Sequence, residues 1–132
     1  MKPGIQVIAV QAEGARVAHD SWRARQLQSS TTCDTFAEGM ATRVTFDLTF
    51  DILKRYLDDF VLLSEDALAE GVRLALSATH NLAEGAGAAA MMAAVQAADA
   101  VRGRRVVAVM SGGNMDAPRL ATILAGRVPG SA

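Results

Sequence analysis

Two kinds of hydrophobic pattern alternate along this chain. Short, nearly unbroken apolar runs occur at Ile5–Val10 (IQVIAV), Asp59–Leu63 (DFVLL) and Arg104–Met110 (RRVVAVM). The first and third are rich in β-branched residues and flanked by glycine, which predicts buried strands. The stretches between these runs carry apolar residues at helical spacing. Phe50, Leu53, Tyr56, Leu57 and Phe60 fall on one helical face, and Leu68, Val72, Ala75 and Leu76 repeat the pattern. Ser64, with Glu65 and Asp66 behind it, suits an N-cap and first turn. Glu13–Gln26 reads as a further helix, and the polar QSSTTCDT (Gln28–Thr35) as a loop. Leu82–Gly103 is an alanine-rich helix that Gly103 ends. Pro118 opens a last helix carrying Leu120, Ile123 and Leu124, followed by a loose tail, RVPGSA.

The order is strand, helix, helix, strand, helix, helix, strand, helix. It predicts an α/β layered domain with a mainly parallel sheet. Three strands are few for a parallel sheet, which needs cover on both faces. The chain has 132 residues, enough for one domain. Apolar residues make up 51%, which argues against disorder, but alanine supplies much of that share. The core is therefore expected to be thin unless it leans on a partner or on a further part of the same fold.

Charge and cysteine narrow the function classes. The net charge is −1 with no basic cluster, which points to neither nucleic acid nor an anionic membrane. The longest charge-free stretch, Gly85–Ala98, is too short to span a bilayer. Cys33 is the single cysteine, so no internal disulfide is expected and a cytoplasmic, reducing compartment is the default. The N-terminal MKPGIQVIAV does not read as a signal peptide.

Three stretches carry candidate chemistry. Ser111-Gly112-Gly113-Asn114 follows the third strand, at the end where open α/β sheets bind ligands. Its glycines let backbone amides approach a ligand, and Ser111 offers a hydroxyl. A plain turn before a helix, capped by Asp116, carries about equal weight. Glu84-Gly85-Ala86-Gly87 opens the alanine-rich helix, where the helix dipole alone favours a carboxylate. In TFAEGMA (Thr35–Ala41), Gly39 marks either close approach to a flat ligand or a turn. His19 and His80 lack partners at ligand spacing and read as structural. Trp22, Met91 and Met92 read as packing residues. Asp58-Asp59 and Glu65-Asp66 read as a solvated helix end and a first turn.

Taken in order, these segments resemble a known family. TFAEGMA, DILKRYLDDFVLLSEDAL (Asp51–Leu68), THNLAEGAGAAA (Thr79–Ala90) and GRRVVAVMSGGNMD (Gly103–Asp116) resemble the C-terminal part of threonine/serine dehydratases. These are fold-type II enzymes that use pyridoxal phosphate, related to serine racemase and the tryptophan synthase β chain. MKPGIQVIAVQAEGA (Met1–Ala15) resembles the strand after that family's phosphate-binding glycine loop. The resemblance runs to about residue 125 and implies an incomplete dehydratase domain over 1–125, with 126–132 as a tail.

The resemblance also implies roles. Ser111 matches the serine that hydrogen-bonds the cofactor's pyridine nitrogen, and Gly112, Gly113 and Asn114 shape the loop around it. Gly39 matches a glycine beside the ring, and Glu84 a carboxylate near the pyridine edge. A serine is nearly neutral towards that nitrogen, so the ring is a milder electron sink, suited to eliminating a β-hydroxyl. The family removes water from a hydroxy amino acid to give a 2-oxo acid and ammonia. The chain departs from the family in its lysines, Lys2 and Lys54, neither of which lies in the family's lysine motif. The phosphate cup and substrate-carboxylate loop are absent, so no catalytic residue is assigned and inactivity alone is expected. Glu38-Gly39 stands where the family often has Asp-Gly. Gln11 stands where some members place a cation-binding carboxylate, so no metal is expected. A homo-oligomer or a complementing chain would complete the fold. The other reading is a stand-alone α/β module that holds a phosphorylated or aromatic ligand without catalysis.

Overall fold

The first two apolar runs pair in the computed structural model, which describes residues 4–131. β1 (Ile8–Ala12) and β2 (Asp59–Leu63) are parallel, with Ala9 opposite Phe60 and Val10 opposite Val61. β1 begins three residues later than its apolar run, because Asp58 holds the entry to the ladder. Its Oδ2 accepts from Val7 N at 2.7 Å, and its own N donates to Val7 O at 2.9 Å. Asp58 is thus part of the sheet's entry rather than a solvated helix end.

Parallel neighbours need a crossover, and two helices supply it, α1 (Val17–Ala24) and α2 (Asp47–Tyr56). Trp22 and His19 of α1 pack on Phe60 of β2, with ring centroids 6.0 and 5.5 Å apart. The predicted Glu13–Gln26 helix is interrupted: a 3₁₀ turn, Glu13–Ala15, precedes α1, and Arg25 in a left-handed conformation ends it.

α3 (Glu65–Thr79) starts as expected, with Ser64 Oγ accepting from Ala67 N at 3.2 Å. α4 (Gly85–Gln96) lies along it. A β-carbon on Gly71 would meet Ala88 and Met92, so small residues set how closely these helices approach. α5 (Ala117–Leu124) is capped by Asp116, whose carboxylate accepts from Arg119 N at 2.8 Å. The core joins Leu63 of β2, Leu68 and Val72 of α3, Ala88 of α4 and Ile123 of α5, with Phe36 from the connecting loop. Pro129 of the tail is buried.

The third apolar run departs from expectation. Residues 105–110 form no ladder, and among the described residues no backbone hydrogen bond joins 105–111 to any other segment. Val107 is 84% exposed and Val109 68%. The residue pattern favours an extended chain, but a strand also needs a neighbour, and none of the described residues provides one. No helix among the described residues is long and apolar enough to cross a membrane.

Candidate functional site

Three distant segments converge on one carboxylate. Glu84 is the N-cap of α4, yet its side chain makes no capping hydrogen bond. Its backbone N donates instead to Gly112 O at 3.1 Å, which lays the Ser111–Asn114 loop against the helix start. A β-carbon at Gly112 would lie 2.5 Å from Glu84 Oε1. One at Gly39 would lie 3.4 Å from the same oxygen and 2.9 Å from Ala86 Cβ. The Gly112 carbonyl in turn occupies the space that a side chain at Gly87 would need. Gly113 packs on the carbonyl of Leu82, where a β-carbon would come within 2.5 Å. The paired glycines are there because the loop runs in contact with the α4 terminus.

Five of the six expected residues therefore belong to one neighbourhood. Gly39 and Gly112 both face the Glu84 carboxylate, Gly113 packs on Leu82 beside them, and Asn114 joins Glu84 in lining a cavity of about 150 Å³. Ser111 begins the same loop. It is exposed, and its hydroxyl has no hydrogen-bond partner among the described residues. Phe36, Glu38, Gly85 and Arg119 also line the cavity.

Glu38 and Arg119 were not legible as site residues in the sequence. Arg119 Nη1 donates to Glu38 Oε1 at 2.6 Å and to Phe36 O at 3.5 Å. The pair ties α5 to the 3₁₀ turn Glu38–Met40 that carries Gly39. The two residues lie far apart in sequence, and each reads by itself as a surface charge. Glu65 is a second omission. It reads as a first-turn acid, but its Oε2 accepts from Phe36 N at 3.0 Å, and its Oε1 is buried without a partner. It anchors the segment leading to Gly39.

The remaining polar groups serve structure. Gln11 is buried and its Oε1 accepts from His19 N at 3.1 Å. His19 Nδ1 lies 2.8 Å from Asp20 Oδ1, and Arg16 Nε reaches both Asp20 oxygens at 3.1 Å. Burial alone would raise the Asp20 pKa. The hydrogen bonds and charges of His19 and Arg16 outweigh it and hold the carboxyl below its usual range. His80 ends α3 in a left-handed conformation. Lys54 is paired with Asp51 at 2.8 Å, sits 4.3 Å above the Phe50 ring, and lines no cavity described above. Lys2 lies outside the described residues. No group of three or more His, Cys, Asp or Glu side chains able to hold a metal ion occurs among the described residues.

Comparison with known proteins bears on the family and the fold. A family model described as "Pyridoxal-phosphate dependent enzyme" matches residues 1–112. L-threonine ammonia-lyase of Thermotoga maritima is 35% identical over 116 residues, covering 88% of this chain and 29% of that protein. The catabolic L-threonine dehydratase of Escherichia coli K12 is 30% identical over 125 residues, covering 93% of this chain and 38% of that protein. Among solved structures, processed threonine deaminase isoform 2 of Solanum lycopersicum superposes with a TM-score of 0.89 at 25% identity. It covers 95% of this chain and 37% of that one. The chain thus spans well under half the length of these relatives.

Proposed function

Because the chain belongs to the pyridoxal-phosphate dependent enzyme family, we propose that it is the C-terminal portion of a threonine/serine dehydratase. In this reading it contributes one wall of the cofactor site and no Schiff-base lysine. The observation that supports it most directly is the convergence of Gly39 and Gly112 on the Glu84 carboxylate. Pyridoxal phosphate is the family's cofactor, and the residues present fit a flat ring. A β-carbon at Gly39 would crowd Ala86, Gly112 packs against the end of the Glu84 side chain, and the Ser111 hydroxyl is exposed with no hydrogen-bond partner among the described residues.

Ser111 Oγ would donate to or accept from the ring nitrogen. Because a hydroxyl carries no charge, it would not hold that nitrogen protonated as a carboxylate would. Glu84, pinned through its backbone to Gly112, would fix the loop that presents Ser111. Asn114 and the Glu38–Arg119 pair would close the side nearest α5. When bound, the cofactor supplies the electron sink that allows a hydroxy amino acid to lose its Cα proton and then its hydroxyl. Neither the anchoring lysine nor a phosphate cup is found among the described residues, so the chain alone would not turn over.

Incubating the purified 132-residue chain with pyridoxal phosphate and threonine or serine tests this reading. The expected result is no 2-oxo acid. Oxobutanoate or pyruvate made by the chain alone overturns the claim of inactivity. A melting temperature raised by a phosphorylated or aromatic ligand, with the chain alone, would favour the stand-alone binding module instead.

A further inference from the structure

We propose that the outer face of α2 is a homodimer interface, on which a second copy of this chain lays its own α2 antiparallel about a twofold axis at Ile52. The inference stands apart from the dehydratase reading. α2 packs mainly on α1 and lines no part of the candidate site's cavity.

The first support is an apolar row with nothing over it. α2 turns Phe50 and Leu53 towards the protein. Its other side carries Leu48, Ile52 and Tyr56, spaced four residues apart and therefore in one row. They are 75%, 49% and 43% exposed. Phe46, 69% exposed, extends the row at the N-cap. Serine, threonine, aspartate or asparagine there would satisfy a first-turn amide, whereas Phe46 makes no capping bond. The needs of the helix therefore do not account for an aromatic at this position. At these exposures the four side chains present roughly 500 Å² of apolar surface, towards the upper end of what a monomer leaves open. That is close to the apolar share of one side of a standard interface.

The second support is self-complementarity. Ile52 stands midway between Leu48 and Tyr56. Two such rows laid antiparallel bring the two Ile52 side chains together and set each Leu48 against a Tyr56 of the other copy. This is the isologous contact of a twofold dimer, with the same patch used on both sides.

The third support is charge. α2 carries its acids early and its bases late, with Asp47 in the first turn, Asp51 in the middle, and Lys54 and Arg55 in the last turn. Asp51 and Arg55 lie one turn apart on one flank of the row. Antiparallel packing faces this flank with its own reverse, so each Asp51 meets an Arg55 of the other copy. Parallel packing would set like charges side by side. Asp51 holds Lys54 through Oδ1 at 2.8 Å, its side chain is 73% exposed, and its Oδ2 has no partner among the described residues. The Arg55 guanidinium lies 5.3 Å above the Tyr56 ring and has no ion pair among the described residues. Such rim pairs set register and partner choice more than affinity. A row symmetric about Ile52, flanked by charges that match on reversal, fits a second copy better than an unrelated helix.

The test is sedimentation velocity on the 132-residue chain between roughly 1 µM and 1 mM. The expected result is a reversible monomer–dimer equilibrium. Ile52→Lys is expected to weaken it at least about tenfold by setting two ammonium groups at the axis. Leu48→Lys repeats the test at the most exposed position of the row. Asp51→Arg and Arg55→Asp each oppose like charges and are expected to weaken the dimer about three- to tenfold, while the double exchange restores it. Val107→Lys, on the other exposed apolar run, is expected to leave the equilibrium unchanged. All these positions are exposed in the single chain, and circular dichroism checks that each variant keeps its helices. The proposal is overturned by a chain that stays monomeric throughout, which leaves the row to a further part of the fold. It is overturned equally by a dimer indifferent to Ile52→Lys and Leu48→Lys, by one that Val107→Lys dissociates, or by charge exchanges whose combination does not recover association.

Discussion

At the scale of single residues, burial and partners decide which charges matter. Asp20 is held below the usual carboxylate range because the hydrogen bonds from His19 and Arg16 outweigh its burial. Its folded pKa lies below its unfolded one, so its contribution is present above the unfolded value and lost as pH falls through the folded value. Asp20→Asn is expected to flatten the acid side of the stability profile, read by urea unfolding at a series of pH values from about 6 to 2. The Glu38–Arg119 pair is partly solvated, with the Glu38 side chain 67% exposed, so it stabilises the fold by less than about 1 kcal/mol. Its effect is on position. Arg119→Met is expected to leave the urea midpoint almost unchanged while amide exchange at Gly39 and Met40 accelerates. Both of these partnerships lie outside what residue types convey, because each depends on which distant or neighbouring group faces the charge.

At the scale of elements, local chemistry and packing separate cleanly. α3 was legible from Ser64-Glu65-Asp66 because an N-cap acts on its own next turn. Ser64→Ala removes the acceptor for Ala67 N and is expected to cost about 1 kcal/mol in denaturant unfolding. α4 was legible from its alanines, but its role was not. Gly87 faces the Gly112 backbone carbonyl, and backbone cannot rotate away as a side chain can. Gly87→Ala is expected to cost about 1–3 kcal/mol and to break the Glu84–Gly112 hydrogen bond, visible as loss of protection at the Glu84 amide. The run from Arg104 to Met110 shows the opposite case. Valines specify an extended chain, but ladder bonds are made with a neighbour, and here no described segment supplies one.

At the scale of the whole molecule, a well-packed centre is flanked by exposed apolar side chains. Leu63, Leu68, Val72 and Ile123 are essentially inaccessible, while Phe46, Leu48 and Val107 are 69%, 75% and 84% exposed. An isolated chain of this kind is expected to bind an apolar-surface dye.

The order of motifs along the chain was sufficient to point to the family, and the local signals placed the helices of the centre, because caps, alanine content and helical spacing act over one or two turns. The sequence also placed Ser111, Gly112, Gly113 and Asn114 at the end of an extended run, and Glu84 at a helix start. Only the tertiary structure decided that Gly39 and Gly112 share the Glu84 carboxylate, that Glu38 belongs to Arg119, and that the third apolar run stands without a ladder. Each of these is a contact between segments distant in sequence. Such contacts depend on how the backbone closes in space, which no periodicity or composition along the chain records.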